Sequence, residues 1–229
     1  MPTAGQRATA WLRRTTGAAA PSVTYALISI TLLVYLLQLF PPLGVTGALQ
    51  YAPLYSLPQT GAPFEPWRML TVALVHSPSS IFHVLFNMLS LWLFGQGLES
   101  LLGRWRFLAL YVLSALGGSI AVLYLAPVNG PVVGASGAIF GLLGAFFIVQ
   151  RKLGGNATGI LVLVGLNLAL GFIVPGISWQ AHLGGLLVGA VTGLIYVSTR
   201  SSRRRQLQFV LVSAFAVLLV AVALLPALR

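Results

Sequence analysis

Long apolar stretches recur along this chain, and they limit it to one broad class of fold. Several runs contain 17 or more apolar residues, and only 7% of all residues are charged. A helix that crosses a bilayer needs about 20 apolar residues, and soluble domains carry about 25% charged residues. The sequence therefore predicts an all-α polytopic membrane protein.

The apolar pattern divides the chain into seven predicted membrane spans. They are residues 24–40, 81–102, 107–126, 134–149, 158–174, 181–198 and 207–228. We expect a basic segment at 1–23 and a core at 24–198 that holds six spans and a long outer loop at 41–80. A basic linker and the seventh span follow at 199–229.

The basic residues predict how these spans are oriented. They fall on alternate loops: Arg7, Arg13, Arg14, Arg104, Arg106, Arg151, Lys152, Arg200, Arg203, Arg204 and Arg205. The opposite loops carry only Arg68. By the positive-inside rule, the N-terminus is expected in the cytoplasm and the C-terminus outside. The short chain, its compact basic N-terminus and the lack of a transit peptide favour a bacterial plasma membrane.

Composition also narrows the possible chemistry. The net charge of +11 is spread over the ends of spans, so it suits anionic lipid headgroups of the bilayer and not nucleic acid. The chain has no cysteine, two acidic residues and three histidines. A metal site is therefore not expected, and no cofactor is implied.

Two side chains in this apolar background have the chemistry of a nucleophilic hydrolase. Ser136 lies where a polar loop becomes apolar, and His182 lies at the start of another apolar segment. A hydroxyl and an imidazole are costly at membrane depth, and together they supply a nucleophile and its base. With the predicted topology, both residues and His83 lie at a similar depth in the outer half of the membrane.

Glycine spacing predicts that the serine and the histidine meet. Span four carries Gly137, Gly141 and Gly144, and span six carries Gly185, Gly189 and Gly193. Small residues at this spacing let two membrane helices approach closely. Such glycines also occur in helix packing without any chemistry, but here Ser136 and His182 stand at the matching ends.

A second polar pair lies in span two. His83 and Asn87 are four residues apart and therefore share one helix face. They could donate hydrogen bonds to an oxyanion, or they could form an interhelical polar clamp. Position alone leaves both readings open.

Taken in order, these motifs resemble those of the rhomboid family of intramembrane serine proteases. The matching segments are HVLFN at 83–87, GASG at 134–137, AHLGG at 181–185 with Gly189, EPWR at 65–68, and GQGLE at 95–99. The resemblance covers about residues 24–198 and implies a six-helix rhomboid-like bundle. The seventh span would lie beyond that core.

The resemblance also implies roles for individual residues. Ser136 would be the nucleophile and His182 the base, while His83, Asn87 and the backbone N–H of Ser136 would form the oxyanion hole. Structural support would come from Gly134, Gly137, Phe140, Gly185, Gly189, Trp67, Arg68 and Glu99. Phe140 stands where the family often has tyrosine, so we expect ring stacking on His182 without the phenol.

The expected function is that of a serine endopeptidase that cleaves transmembrane segments of other membrane proteins through an acyl-enzyme. Neither Glu65 nor Glu99 is placed to orient His182, so we expect a dyad with slow turnover. One alternative is a non-proteolytic rhomboid-like protein that binds or chaperones membrane helices. A transporter is disfavoured because the polar residues crowd to one side of the membrane. The sequence predicts no oligomeric state and names no particular substrate.

Overall fold

Seven long helices form the described part of the protein. The computed structural model describes residues 21–152, 154–174 and 176–228, so most of the predicted basic segment lies outside the described residues. The helices are α1 (Ser22–Gln38), α2 (Ile81–Leu102), α3 (Arg104–Leu125), α4 (Ser136–Lys152), α5 (Thr158–Ile173), α6 (Trp179–Ser198) and α7 (Arg205–Leu224). Within those residues helix accounts for 79% and there are no strands. The predicted all-α class is thereby confirmed.

The predicted spans differ from these helices by a few residues at their ends. Helix α4 begins at Ser136 and not at residue 134, because Gly134 has a φ of +122°, which no helix contains. Helix α7 begins earlier than predicted, since a 3₁₀ turn at Ser202–Arg204 leads directly into it. The basic linker is therefore itself largely helical.

Within the described residues, four helical segments are long and apolar enough to cross a bilayer. They are Ile81–Leu102, Arg104–Leu125, Trp179–Ser198 and Ser202–Leu228. Helix α1 gives a fifth when it is joined to Pro41–Leu49, although the two pieces meet at a bend of 106°. Helices α4 and α5, with 17 and 16 residues, are shorter. The protein is thus a multi-pass helical membrane protein.

Helices α3, α4 and α6 pack together at the centre, and glycines line their contacts. A Cβ atom at Gly185 would overlap the Gly137 carbonyl, and one at Gly189 would overlap the Gly141 backbone. On the other side of α6, a Cβ at Gly184 would overlap the Gly117 carbonyl. Backbone therefore touches backbone on both faces of α6, which requires residues without a side chain.

The loop at 41–80 is folded and not extended. Arg68 is buried, forms a salt bridge with Glu65 and donates to the carbonyls of Gly47 and Gln50 at 2.5 and 3.2 Å. Its guanidinium also lies 4.1 Å from the centre of the Tyr55 ring, whereas Trp67 is exposed. One arginine thus ties together three parts of the loop.

At the opposite end of the bundle, Glu99 joins α2 to the start of α1. Its carboxylate accepts hydrogen bonds from the backbone N–H of Val23 and Thr24 at 2.9 and 2.8 Å, and from the Thr24 hydroxyl at 2.7 Å. A carboxylate is favoured there because the first N–H groups of a helix lack intrahelical partners. A Cβ at Gly95 would lie 2.8 Å from Thr24, so glycine allows this approach.

Candidate functional site

Ser136 occupies the first position of α4, at the end of a tightly held loop. Two backbone hydrogen bonds join Val132 to Tyr51, and the Gly134 N–H donates to the Val72 carbonyl at 3.1 Å. Gly134 then turns the chain with its positive φ, a conformation that favours glycine. The outer loop therefore fixes the backbone from which the Ser136 side chain projects.

His182 lies in the first turn of α6 and meets Ser136. The Ser178 side chain caps this helix by accepting from the Ala181 N–H, at 3.2 Å. His182 Nε2 lies 3.0 Å from Ser136 Oγ, within hydrogen-bond distance. The glycine contacts between α4 and α6 begin directly below this pair, as the sequence spacing predicted.

The imidazole of His182 is held by packing. The Phe140 ring stacks on it with centroids 4.0 Å apart and an angle of 9° between the planes. His182 Nδ1 is buried and has no hydrogen-bond partner among the described residues. The two acidic side chains lie elsewhere: Glu65 forms a salt bridge with Arg68, and Glu99 accepts hydrogen bonds from the start of α1. The arrangement is a serine–histidine pair braced by an aromatic ring.

His83 faces the same loop from α2. A Cβ at Gly134 would lie 2.9 Å from His83 Nε2 and 3.8 Å from Ser136 Oγ, so the imidazole and the hydroxyl flank one glycine. The backbone N–H of Ser77 donates to His83 Nδ1 at 3.3 Å. An accepting Nδ1 in a neutral imidazole leaves the proton on Nε2. His83 is therefore a donor on the side that faces Ser136.

Asn87 lies one turn further along α2 and is buried. Its Nδ2 donates to the His83 carbonyl at 2.8 Å, while its Oδ1 has no partner among the described residues. The amide is thus engaged within its own helix. To donate to a ligand near Ser136, the Asn87 amide would first have to break its hydrogen bond to the His83 carbonyl.

Sequence reasoning did not place His76 or Gln38 in the site. His76 is fully buried, and its Nε2 accepts from the Ala135 N–H at 3.4 Å. Its ring also meets the His83 ring edge-on, with centroids 5.1 Å apart. The side chain of Gln38, the last residue of α1, donates to the His76 carbonyl and accepts from the His76 N–H. No periodic pattern marks either residue, because these contacts run through loop backbone.

Fold and site together define a multi-pass helical membrane protein with a serine–histidine pair at one end of its bundle. Comparison with family models adds a match to the rhomboid domain over residues 63–199, which is more than half of the chain. The chain belongs to the rhomboid family. The match includes the segments at 65–68, 83–87, 134–137 and 181–185 that carried the resemblance in the sequence.

Several curated proteins are similar to this chain. Rhomboid protease GluP of Bacillus subtilis is 40% identical over 160 residues, which are 67% of this chain and 31% of GluP. Putative rhomboid protease YdcA of the same organism is 35% identical over 144 residues, 61% of this chain and 71% of YdcA. RHOMBOID-like protein 5 of Arabidopsis thaliana is 40% identical over 141 residues, 57% and 44% of the two chains. This chain thus spans about a third of GluP and under half of the plant protein.

Proposed function

We propose that this protein is an intramembrane serine endopeptidase with Ser136 as nucleophile and His182 as base. The observation that carries the proposal is the 3.0 Å separation of Ser136 Oγ and His182 Nε2 at the buried end of α4 and α6. A nucleophile and a base within hydrogen-bond reach are the minimum for acyl transfer. The names of GluP and YdcA as rhomboid proteases support the same activity.

In this mechanism Ser136 Oγ attacks the carbonyl carbon of a peptide bond while His182 Nε2 takes the hydroxyl proton. The protonated imidazole then gives that proton to the leaving amine, and an acyl-enzyme remains. Water, deprotonated by His182, attacks the ester and releases Ser136. Since Nδ1 of His182 has no carboxylate partner among the described residues, the imidazolium gains little stabilisation, which supports slow turnover.

Charge that develops on the carbonyl oxygen needs donors. His83 Nε2–H and the backbone N–H of Ser136 are the proposed donors, since both lie at the loop that contains Gly134. Asn87 would join them after releasing the His83 carbonyl. Donors of this kind each contribute about 10²- to 10³-fold to the rate of acyl transfer.

The proposed substrates are membrane proteins whose transmembrane segments unwind near the outer leaflet. We further propose seven spans, a core at 24–198 with a seventh span beyond it, a cytoplasmic N-terminus and a bacterial plasma membrane. The clustering of basic residues at one end of the helices supports this orientation.

The test is cleavage of a model transmembrane substrate by detergent-purified protein, with wild type beside Ser136→Ala and His182→Ala. Each variant removes one member of the pair, and both are expected to abolish cleavage while their thermal unfolding matches wild type. Equal cleavage by all three proteins would identify a contaminating protease and refute the dyad. Absence of both cleavage and fluorophosphonate labelling of Ser136 in wild type would favour a non-proteolytic binder of membrane helices.

A further inference from the structure

The loop that precedes Ser136 is held at its last residue by a side chain from the outer loop. The Ala135 N–H points to His76 Nε2 at 3.4 Å, the long end of a hydrogen bond. Ala135 is itself fully buried, and its N–H has no other acceptor among the described residues. A buried N–H without an acceptor would destabilise this backbone position.

His76 is fixed in turn by the end of α1. The Gln38 amide donates to the His76 carbonyl at 2.7 Å and accepts from the His76 N–H at 2.9 Å. It also donates to the Thr46 hydroxyl at 2.8 Å. Gln38 is buried, so its two hydrogen bonds to the His76 backbone hold His76 at a defined distance from α1.

The His76 ring adjoins the other groups that would bind an oxyanion. The edge of the His76 ring meets the His83 ring, and the Asn87 side chain lies close enough to raise the pKa of His76. Burial, and then the neighbouring His83, lower the pKa of His76 to about 3, against the opposing effects of the Leu74 carbonyl and the Asn87 side chain. His76 is therefore neutral at physiological pH, and the Ala135 N–H that faces Nε2 favours the tautomer with the proton on Nδ1.

We propose that Gln38 and His76 are positioning residues for the oxyanion hole: Gln38 fixes the His76 backbone, and the His76 imidazole fixes the Ala135 peptide and the His83 ring. This inference rests on the proposed protease function. Neither residue touches the reacting atoms. The geometry sets where the Ser136 N–H and the His83 Nε2–H point, and misplacement by about 1 Å can reduce a rate by about 10²-fold.

A positioning role makes a different prediction from a merely structural one. Loss of the acceptor should lower kcat, because the donors act on charge that develops in the transition state. Substrate binding should change little, because a ground-state carbonyl gains less from those donors. A merely structural role would lower the melting temperature but leave kcat unchanged in the molecules that stay folded.

The experiment compares His76→Leu, His76→Gln and Gln38→Leu with wild type in the substrate-cleavage assay. We expect kcat to fall at least about tenfold in both leucine variants, with KM within about twofold of wild type. His76→Gln places an amide oxygen near the position of Nε2 and should recover most of the lost rate. Fluorophosphonate labelling of Ser136, which places a phosphonyl oxygen in the oxyanion site, should slow in parallel.

Gln208→Leu is the matched control. Gln208 is also a buried glutamine that donates two hydrogen bonds, to the Thr199 hydroxyl at 2.7 Å and the Tyr196 carbonyl at 3.4 Å, at the far end of the bundle. It should lower the melting temperature about as much as Gln38→Leu and leave kcat unchanged.

The outcomes distinguish failure of the positioning role from failure of the protease proposal. If wild type cleaves and both leucine variants keep its kcat, or if Gln208→Leu loses as much kcat as Gln38→Leu, the positioning role is wrong and the protease proposal stands. A wild type that neither cleaves nor labels refutes the protease and the positioning role together. Should His76→Leu fail to fold, Gln38→Leu and His76→Gln still separate the outcomes.

Discussion

At the scale of single residues, Phe140 is the group that packs on the His182 imidazole. Its ring lies 4.0 Å from the His182 ring and nearly parallel to it, while His182 Nδ1 has no partner in the described structure. Phe140→Leu should therefore lower kcat about two- to tenfold, since an aromatic pair contributes about 0.5–1.5 kcal/mol beyond its buried area. Phe140→Tyr keeps the ring and should stay near wild type.

Phe94→Leu provides the control for this prediction. Phe94 pairs with Phe146, with ring centroids 6.2 Å apart and an angle of 60° between the rings, and it packs against the cluster that contains Phe140 without itself stacking on His182. We expect Phe94→Leu to lower stability without lowering kcat. If kcat of purified, folded Phe140→Leu equalled wild type, packing would not be what orients the imidazole.

Residue-scale prediction from the sequence is possible where a side chain has its own pattern. Ser136, His182, Phe140 and His83 each stand in a recognisable segment, and the structure brings all four to one place. Gln38 and His76 could not be found in this way. Their contacts depend on how a 40-residue loop folds, and one polar residue at the end of an apolar span is ordinary at the membrane interface.

At the scale of helices, the contact between α4 and α6 is set by backbone against backbone. A Cβ at Gly189 would overlap the Cα and carbonyl of Gly141, and no rotamer change can relieve that overlap. Gly189→Ala should therefore force the helices apart and lower the free energy of unfolding by about 1–3 kcal/mol. Ser136 and His182 would separate as well, so cleavage should fall together with stability.

Replacing glycine by alanine should have the opposite effect on stability in α5. Gly165 lies in the middle of that helix, and nothing lies within 4 Å of the position that its Cβ would take. Gly165→Ala should keep or raise stability, because alanine favours helix over glycine by about 1 kcal/mol. Thermal unfolding of both variants in one detergent measures the difference. Equal melting temperatures would show that the glycine contact between α4 and α6 is not tight.

Helix positions were predictable because apolar length fixes them, whereas helix ends depend on local backbone. The glycine spacing on span four and span six predicted the central helix pair, and two residues separate the end of α1 from Pro41-Pro42. The short helices of the outer loop, such as Arg68–Thr71, were not predicted. They depend on hydrogen bonds from Arg68 to distant carbonyls, which leave no periodic signal.

At the scale of the whole molecule, charge separates the two ends of the bundle. In the described residues one end carries Arg104, Arg106, Arg151, Lys152, Arg200, Arg203, Arg204 and Arg205. The other end carries Arg68 alone, and that charge is paired with Glu65. Helices α2, α4 and α6 all begin at the poorly charged end, where His83, Ser136 and His182 lie. Orientation in the membrane therefore decides on which side of the bilayer Ser136 and His182 lie.

The lack of cysteine in the sequence makes this orientation directly measurable. Gln59 in the outer loop and Ser202 beside the basic cluster are both exposed, so single cysteines there should be tolerated and reactive. With a membrane-impermeant maleimide, Gln59→Cys should label in intact cells, whereas Ser202→Cys should label only after permeabilisation. Each variant is the control for the other, because together they report both faces of the membrane. The reverse pattern would place Ser136 and His182 in the cytoplasmic half, and charge would not have set the topology.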